Sequence, residues 1–166
     1  MGAKYKTVKN DLPKIERAAK ALNGKKVSVG VLEGEHQWLA RIHEYGCTIN
    51  VTPAMRAFLH RQGLHLKAST TVIKIPERSF LRSGFDETHK DVLKKAERTM
   101  PDVLIGTMSV EEYCQQVGVL LASKIKDYAT GLSSPANHPF TVNQKGSANP
   151  LVDSGEMIRG ITYEVE

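Results

Sequence analysis

The 166-residue chain carries 23 Lys and Arg against 18 Asp and Glu, a net charge of +5, with 40% hydrophobic and 25% charged residues. That length and balance suit one globular domain over residues 1–166 with a sizeable core. Mild basicity permits a nucleic-acid or acidic neighbour without requiring one, and no apolar run approaches the roughly 18–20 residues of a membrane span, so no membrane partner is expected.

Cys47 and Cys114 lack metal or redox spacing and read as free thiols of a reducing compartment. The opening MGAKYKTVKNDL has no apolar centre of a signal peptide, and Lys6 stands where a myristoylation signal needs Ser or Thr. The expectation is a protein made and working without crossing a membrane by its own signal.

Val8, Leu12, Ile15, Ala19 and Leu22 recur at helical spacing, with Asn10 or Asp11 as the cap and Asn23–Gly24 as the stop. Val27, Val29 and Val31 alternate within a strand over Lys26–Leu32. A short helix follows over His36–Tyr45, with Trp38 off its apolar stripe, at a sheet edge or against a partner subunit. After a strand over Thr48–Val51, Thr52–Pro53 opens a helix that ends at Gly63, because Thr caps and Pro tolerates the first helical position. Thr70–Ile75 is a third strand.

Phe85, Val92, Leu93, Ala96 and Met100 mark a long helix, with Ser83 and Asp86 as a second cap candidate and with Pro101 and Gly106 interrupting it. Ser109 and Glu112 form a capping box, opening a helix that ends at Gly131. From Thr130 to Pro150 no periodicity survives, and a structureless connection of about 20 residues is uncommon in a compact domain unless it is functional. Asp153 as cap, Glu156 three residues on, and Val152 with Met157 as a hydrophobic staple then predict a helix start, with Gly160 as its stop and Ile161–Val165 as the last strand. The fold class expected is α+β: a small antiparallel sheet of three to four strands, the last from the C-terminus, on two longer helices.

Catalytic signatures are missing. The His43–Glu44 pair lacks the second His of a zinc-protease helix, since position 47 is Cys. His60 and His65 are separated by Gly63 and read as surface residues. There is no phosphate loop, dinucleotide fingerprint or nucleophile elbow. Cys114 sits mid-helix, where nothing would lower its pKa. The expectation is a protein that is not an enzyme and has no catalytic, cofactor-binding or metal residues.

Three stretches carry a family likeness. Ala40–Arg41–Ile42–His43–Glu44–Tyr45–Gly46 resembles the helix end of the neck and tail-completion proteins of long-tailed bacteriophages. Ile75–Pro76–Glu77–Arg78–Ser79–Phe80–Leu81–Arg82 is similar to that family's entry into its long helix, with Ser79 in place of Pro. The closing stretch from Pro139 through Lys145–Gly146 to Pro150–Leu151–Val152–Asp153–Ser154–Gly155 resembles its final signature, with Ser154 where Thr is commoner. Together they span about half the chain in the family's order, and residues 47–75 look like an insertion.

The resemblance implies a virion protein of the head-to-tail junction, assembled in the host cytoplasm. It would act as a homo-oligomeric ring beside other neck, connector or tail-tube proteins, with passing contact to genomic DNA. Under this reading the 130–150 loop, through Phe140, Val142, Lys145 and Asn149, is the expected contact with a neighbouring subunit, ordered on assembly. The alternative is a DNA-contacting protein of the portal or neck channel, using Lys94, Lys95, Arg98, Lys124 and Lys126.

Overall fold

A computed structural model describes residues 11–166; the expected roles of Lys6, Val8 and Asn10 lie outside them. The described chain is α+β, and its framework is a helical hairpin. Helix α4 (Phe80–Ile105) turns at Gly106, whose φ of +80° suits a glycine, and returns as α5 (Val110–Gly131). The turn back is locked by the expected box: Ser109 Oγ accepts from the Glu112 N–H at 3.1 Å, and the Glu112 carboxylate accepts from the Ser109 N–H at 2.9 Å. Pro101 lies within α4 and does not end it. Val103 is buried with Ala96, Tyr113 and Cys114, and Met100 packs against them, so tertiary contact carries the helix past the missing N–H.

On α5, Tyr113, Cys114, Gly118, Leu121, Ala122, Ile125 and Ala129 form one buried stripe. Against it lies a two-stranded antiparallel sheet of β1 (Val27–Val31) and β4 (Ile161–Val165), in register Val27↔Val165 through Val31↔Ile161. Gly118 allows the approach, because a Cβ there would collide with the Tyr163 ring. Phe80, Ile125 and Ile161 are fully buried at the centre, each contributing roughly 1.5–3 kcal/mol.

The described strands form two two-stranded antiparallel sheets in place of the single sheet of three to four strands that the sequence predicts. Helix α2 (Gln37–Tyr45) ends at Gly46, whose φ of +72° redirects the chain. Strand β2 (Cys47–Asn50) then pairs only with β3 (Val72–Ile75), and α3 (Pro53–Arg61) lies between them in sequence. A Cβ at Gly46 would sit 2.9 Å from both Ile75 O and Glu77 N, so the stem of this excursion closes around a glycine.

Helix α1 (Leu12–Leu22) also departs from its predicted stripe. It packs through Ala18 and Leu22, at the end of the hairpin, while Leu12 and Ile15 remain exposed. Asp11 occupies the cap position, but its carboxylate pairs with Lys14 at 3.5 Å and makes no capping bond.

The 130–150 connection is not structureless. It contains α6 (Pro139–Lys145), begun by Pro139 with His138 Nδ1 accepting from the Phe140 N–H, and closed by Gly146 at φ +69°. The last short helix, α7 (Glu156–Arg159), starts two residues later than a cap at Asp153 would place it. Gly155, at φ +80°, holds the cap position and Asp153 makes no capping bond. The reason lies upstream: Asn149 Oδ1 accepts from the Leu151 and Val152 N–H groups, fixing a turn that carries the chain past Asp153. Glu156 reaches His36 Nε2 at 3.3 Å instead of folding back on a cap. Val152 and Met157 share the main core cluster, but not as a staple across Asp153.

Candidate functional site

The notable chemistry collects where α2, the start of α4 and the 130–152 segment meet. Glu44 is 3% exposed at the C-terminal end of α2, an unfavourable place for an anion in an isolated helix. Its charge is compensated from another element. The carboxylate accepts from the backbone N–H groups of Leu81 at 2.9 Å and Arg82 at 3.0 Å, in the first turn of α4, and from Arg82 Nε at 2.9 Å. Glu44 therefore caps a helix that begins 36 residues later in sequence. Ser79, the local cap position, uses its hydroxyl on Ser83 at 2.7 Å. Arg82 continues outward to the Glu44 carbonyl at 3.0 Å and to Glu77 at 2.7 Å, and lies 4.8 Å over the Tyr45 ring.

Arg78 is the second buried charge, 4% exposed. It donates to Pro135 O at 2.7 Å, Ala136 O at 3.1 Å and Asn137 Oδ1 at 3.1 Å, and approaches His43 Nδ1 at 3.5 Å. Its own N–H donates to His43 O at 2.7 Å. Burial lowers the guanidinium pKa from its ordinary value, yet arginine stays charged. Burial, then the Arg78 and Lys145 charges, push the His43 pKa down to about 4. His43 is thus a neutral acceptor at pH 7.

Lys145, at the end of α6, closes the assembly. Its Nζ donates to the carbonyls of Asn149 at 2.5 Å, Val152 at 2.8 Å and Pro150 at 3.4 Å. Burial lowers its pKa, with Asp153 opposing and Arg78 reinforcing the shift. Asn149 also donates to Thr130 O at 2.6 Å, at the other end of the connection, and its own carbonyl accepts from Asn137 Nδ2 at 3.4 Å.

Of the four residues expected to face a neighbour, Lys145 and Asn149 are thus engaged within the chain. Phe140 and Val142 are half-buried on α6. Among the described residues no buried side-chain N or O atom lacks a partner, and no group of three or more His, Cys, Asp or Glu could hold a metal ion. The junction binds segments distant in sequence together.

A groove of about 560 Å³ opens elsewhere, between α4 and α5, lined by Val92, Ala96, Val117, Leu120 and Tyr163. Its one carboxylate, Glu112, is held below the usual range by the Ser109 hydrogen bonds and belongs to the α5 cap. Cys114 is buried, which raises its pKa. The His60 and His65 Nδ1 atoms lie 2.7 Å apart, so the two residues meet despite Gly63 between them.

From the sequence alone Glu44 reads as an ordinary polar helix end. The available signal was a carboxylate at a helix C-terminus, opposed to the dipole, followed by a helix lacking a strong local cap.

No family model, curated protein or solved structure matches the chain.

Proposed function

We propose that this chain is a structural subunit of a bacteriophage head-to-tail junction, forming a ring that completes the tail or joins it to the DNA-filled capsid. The observation that supports this reading is the convergence of the three stretches on which the resemblance rests. Glu44 from the first caps the helix begun by the second, and Arg78 from the second binds the segment leading to the third. A fixed junction between distant segments suits a load-bearing subunit, whose work is to hold shape between neighbours. The reading is non-enzymatic. Its partners are other copies of the chain and other neck, connector or tail-tube proteins, in the virion after assembly in the host cytoplasm.

Loss of the gene in an infected host should yield DNA-filled heads beside separate tails by electron microscopy. Joined, infectious particles without this protein would end the proposal. The 130–150 contact needs a milder probe than excision, because removing 132–148 would strip Arg78 of its partners and delete Lys145 itself. Phe140→Ser with Val142→Ser keeps those bonds. The expected result is a folded subunit that no longer forms rings in native mass spectrometry, whereas unchanged rings would place the subunit contact elsewhere.

A further inference from the structure

The excursion of β2, α3 and β3 differs from the rest of the molecule in charge. Between Glu44 and Glu77 there is no Asp or Glu, while residues 47–75 hold Arg56, Arg61, Lys67 and Lys74. That segment carries four of the chain's five net positive charges, leaving 19 basic side chains against 18 acidic ones in the remainder. The lysines of α4, by contrast, are interleaved with Asp86, Glu87, Asp91, Glu97 and Asp102.

The cations are also presented. No residue from 45 to 77 is fully buried, and Arg61, Lys67 and Lys74 are exposed. Among the described residues none of these three enters a salt bridge. Arg56 is half-buried and holds the return loop through the carbonyls of Leu66, Lys67 and Thr70 at 3.1, 2.8 and 2.6 Å. Lys74 stands opposite Thr48 in the ladder, and Val72 opposite Asn50, all four on the exposed face. With Ser69 and Thr71 also exposed, hydroxyl and amide groups accompany the cations.

We propose that this excursion contacts the phosphates of double-stranded DNA without reading its sequence. Unpaired cations accompanied by Ser, Thr and Asn side chains match the chemistry of backbone positioning. The inference stands on charge and exposure, and holds whether or not the chain closes into a ring. It also shifts the DNA-facing surface away from Lys94, Lys95 and Arg98.

The test is fluorescence anisotropy of a labelled random duplex of about 20 base pairs with the full-length protein, between about 50 and 200 mM NaCl. Three phosphate contacts per subunit give a slope of log K against log salt of about −3. Arg61→Gln, Lys67→Gln and Lys74→Gln together should flatten that slope and lower affinity at least tenfold at the lowest salt. The α4 control Lys90→Gln, Lys94→Gln and Lys95→Gln should leave it unchanged. Should the triple variant misfold by circular dichroism, the single variants decide, each reducing the slope by about one. No binding at low salt, equal loss in the α4 control, or equal binding of a polyglutamate of matching charge or of anionic lipid vesicles would overturn the proposal.

Discussion

The polar junction and the β2–α3–β3 excursion hold their chains in opposite ways. At the junction, buried charges reach across sequence: Glu44 to residues 81 and 82, and Arg78 to residues 135–137. In the excursion nothing is fully buried, and the fixing is local, with Thr52 Oγ1 accepting from the Met55 N–H at 3.1 Å and Arg56 spanning only to residues 66–70. Long-range buried bonds tie the junction to global folding, whereas an excursion fixed only locally is expected to open without the core following. The difference separates what must be rigid from what is surface.

Glu44→Ala should have the largest effect. It leaves two N–H groups in the first turn of α4 without their acceptor and empties a buried site, which costs about 3 kcal/mol. Urea denaturation should show the whole molecule destabilised, with all probes shifting together. A loss confined to α2 would show that the junction is a local feature after all.

The next effect depends on pH. Unfolded His43 takes a proton near 6.5, but in the fold only near 4. Between those values the unfolded chain holds more protons, so this group's contribution is complete above about 6.5, falls as pH falls, and is lost below about 4. Allowing for its partial exposure, the loss is about 1–2 kcal/mol. His43→Gln should flatten the urea midpoint against pH by that amount, and parallel curves for the two proteins would remove His43 as the cause.

Arg56→Ala tests the other side of the comparison. Hydrogen exchange should quicken by roughly tenfold at amides in 62–71, equivalent to about 1.4 kcal/mol of local opening, while α4 and α5 amides stay protected. If α5 exchange quickens equally, the excursion is coupled to the core and the contrast fails.

The same contrast explains what could be read in advance. Elements set by contacts within a few residues were legible: the Ser109–Glu112 box, the Thr52–Pro53 start, and Gly131 at the end of α5. Elements set from afar were not. Nothing local reveals that Glu44 caps α4, that Gly46 separates β2–β3 from β1–β4, or that Asn149 ties the two ends of the 130–150 connection together. The α+β class survived because both small sheets and both long helices follow from local periodicity, and the pairing of strands does not.

Asp153 shows that one local signal can also overrule another, and it carries the smallest expected effect. Residues 152–157 satisfy every sequence criterion for a boxed and stapled helix start, yet Asp153 is exposed and makes no capping bond. The Asn149 turn and the Lys145 contacts fix the approach first, and the helix begins after Gly155. Asp153→Ala should therefore change stability by less than about 0.5 kcal/mol, the usual range for a surface substitution. Thr52→Ala, at a cap whose bond is made, should cost about 1 kcal/mol, read as faster hydrogen exchange in α3. A loss of about 1 kcal/mol at Asp153 as well would mean that the Asp153 carboxylate, and not the Asn149 turn, governs this helix start.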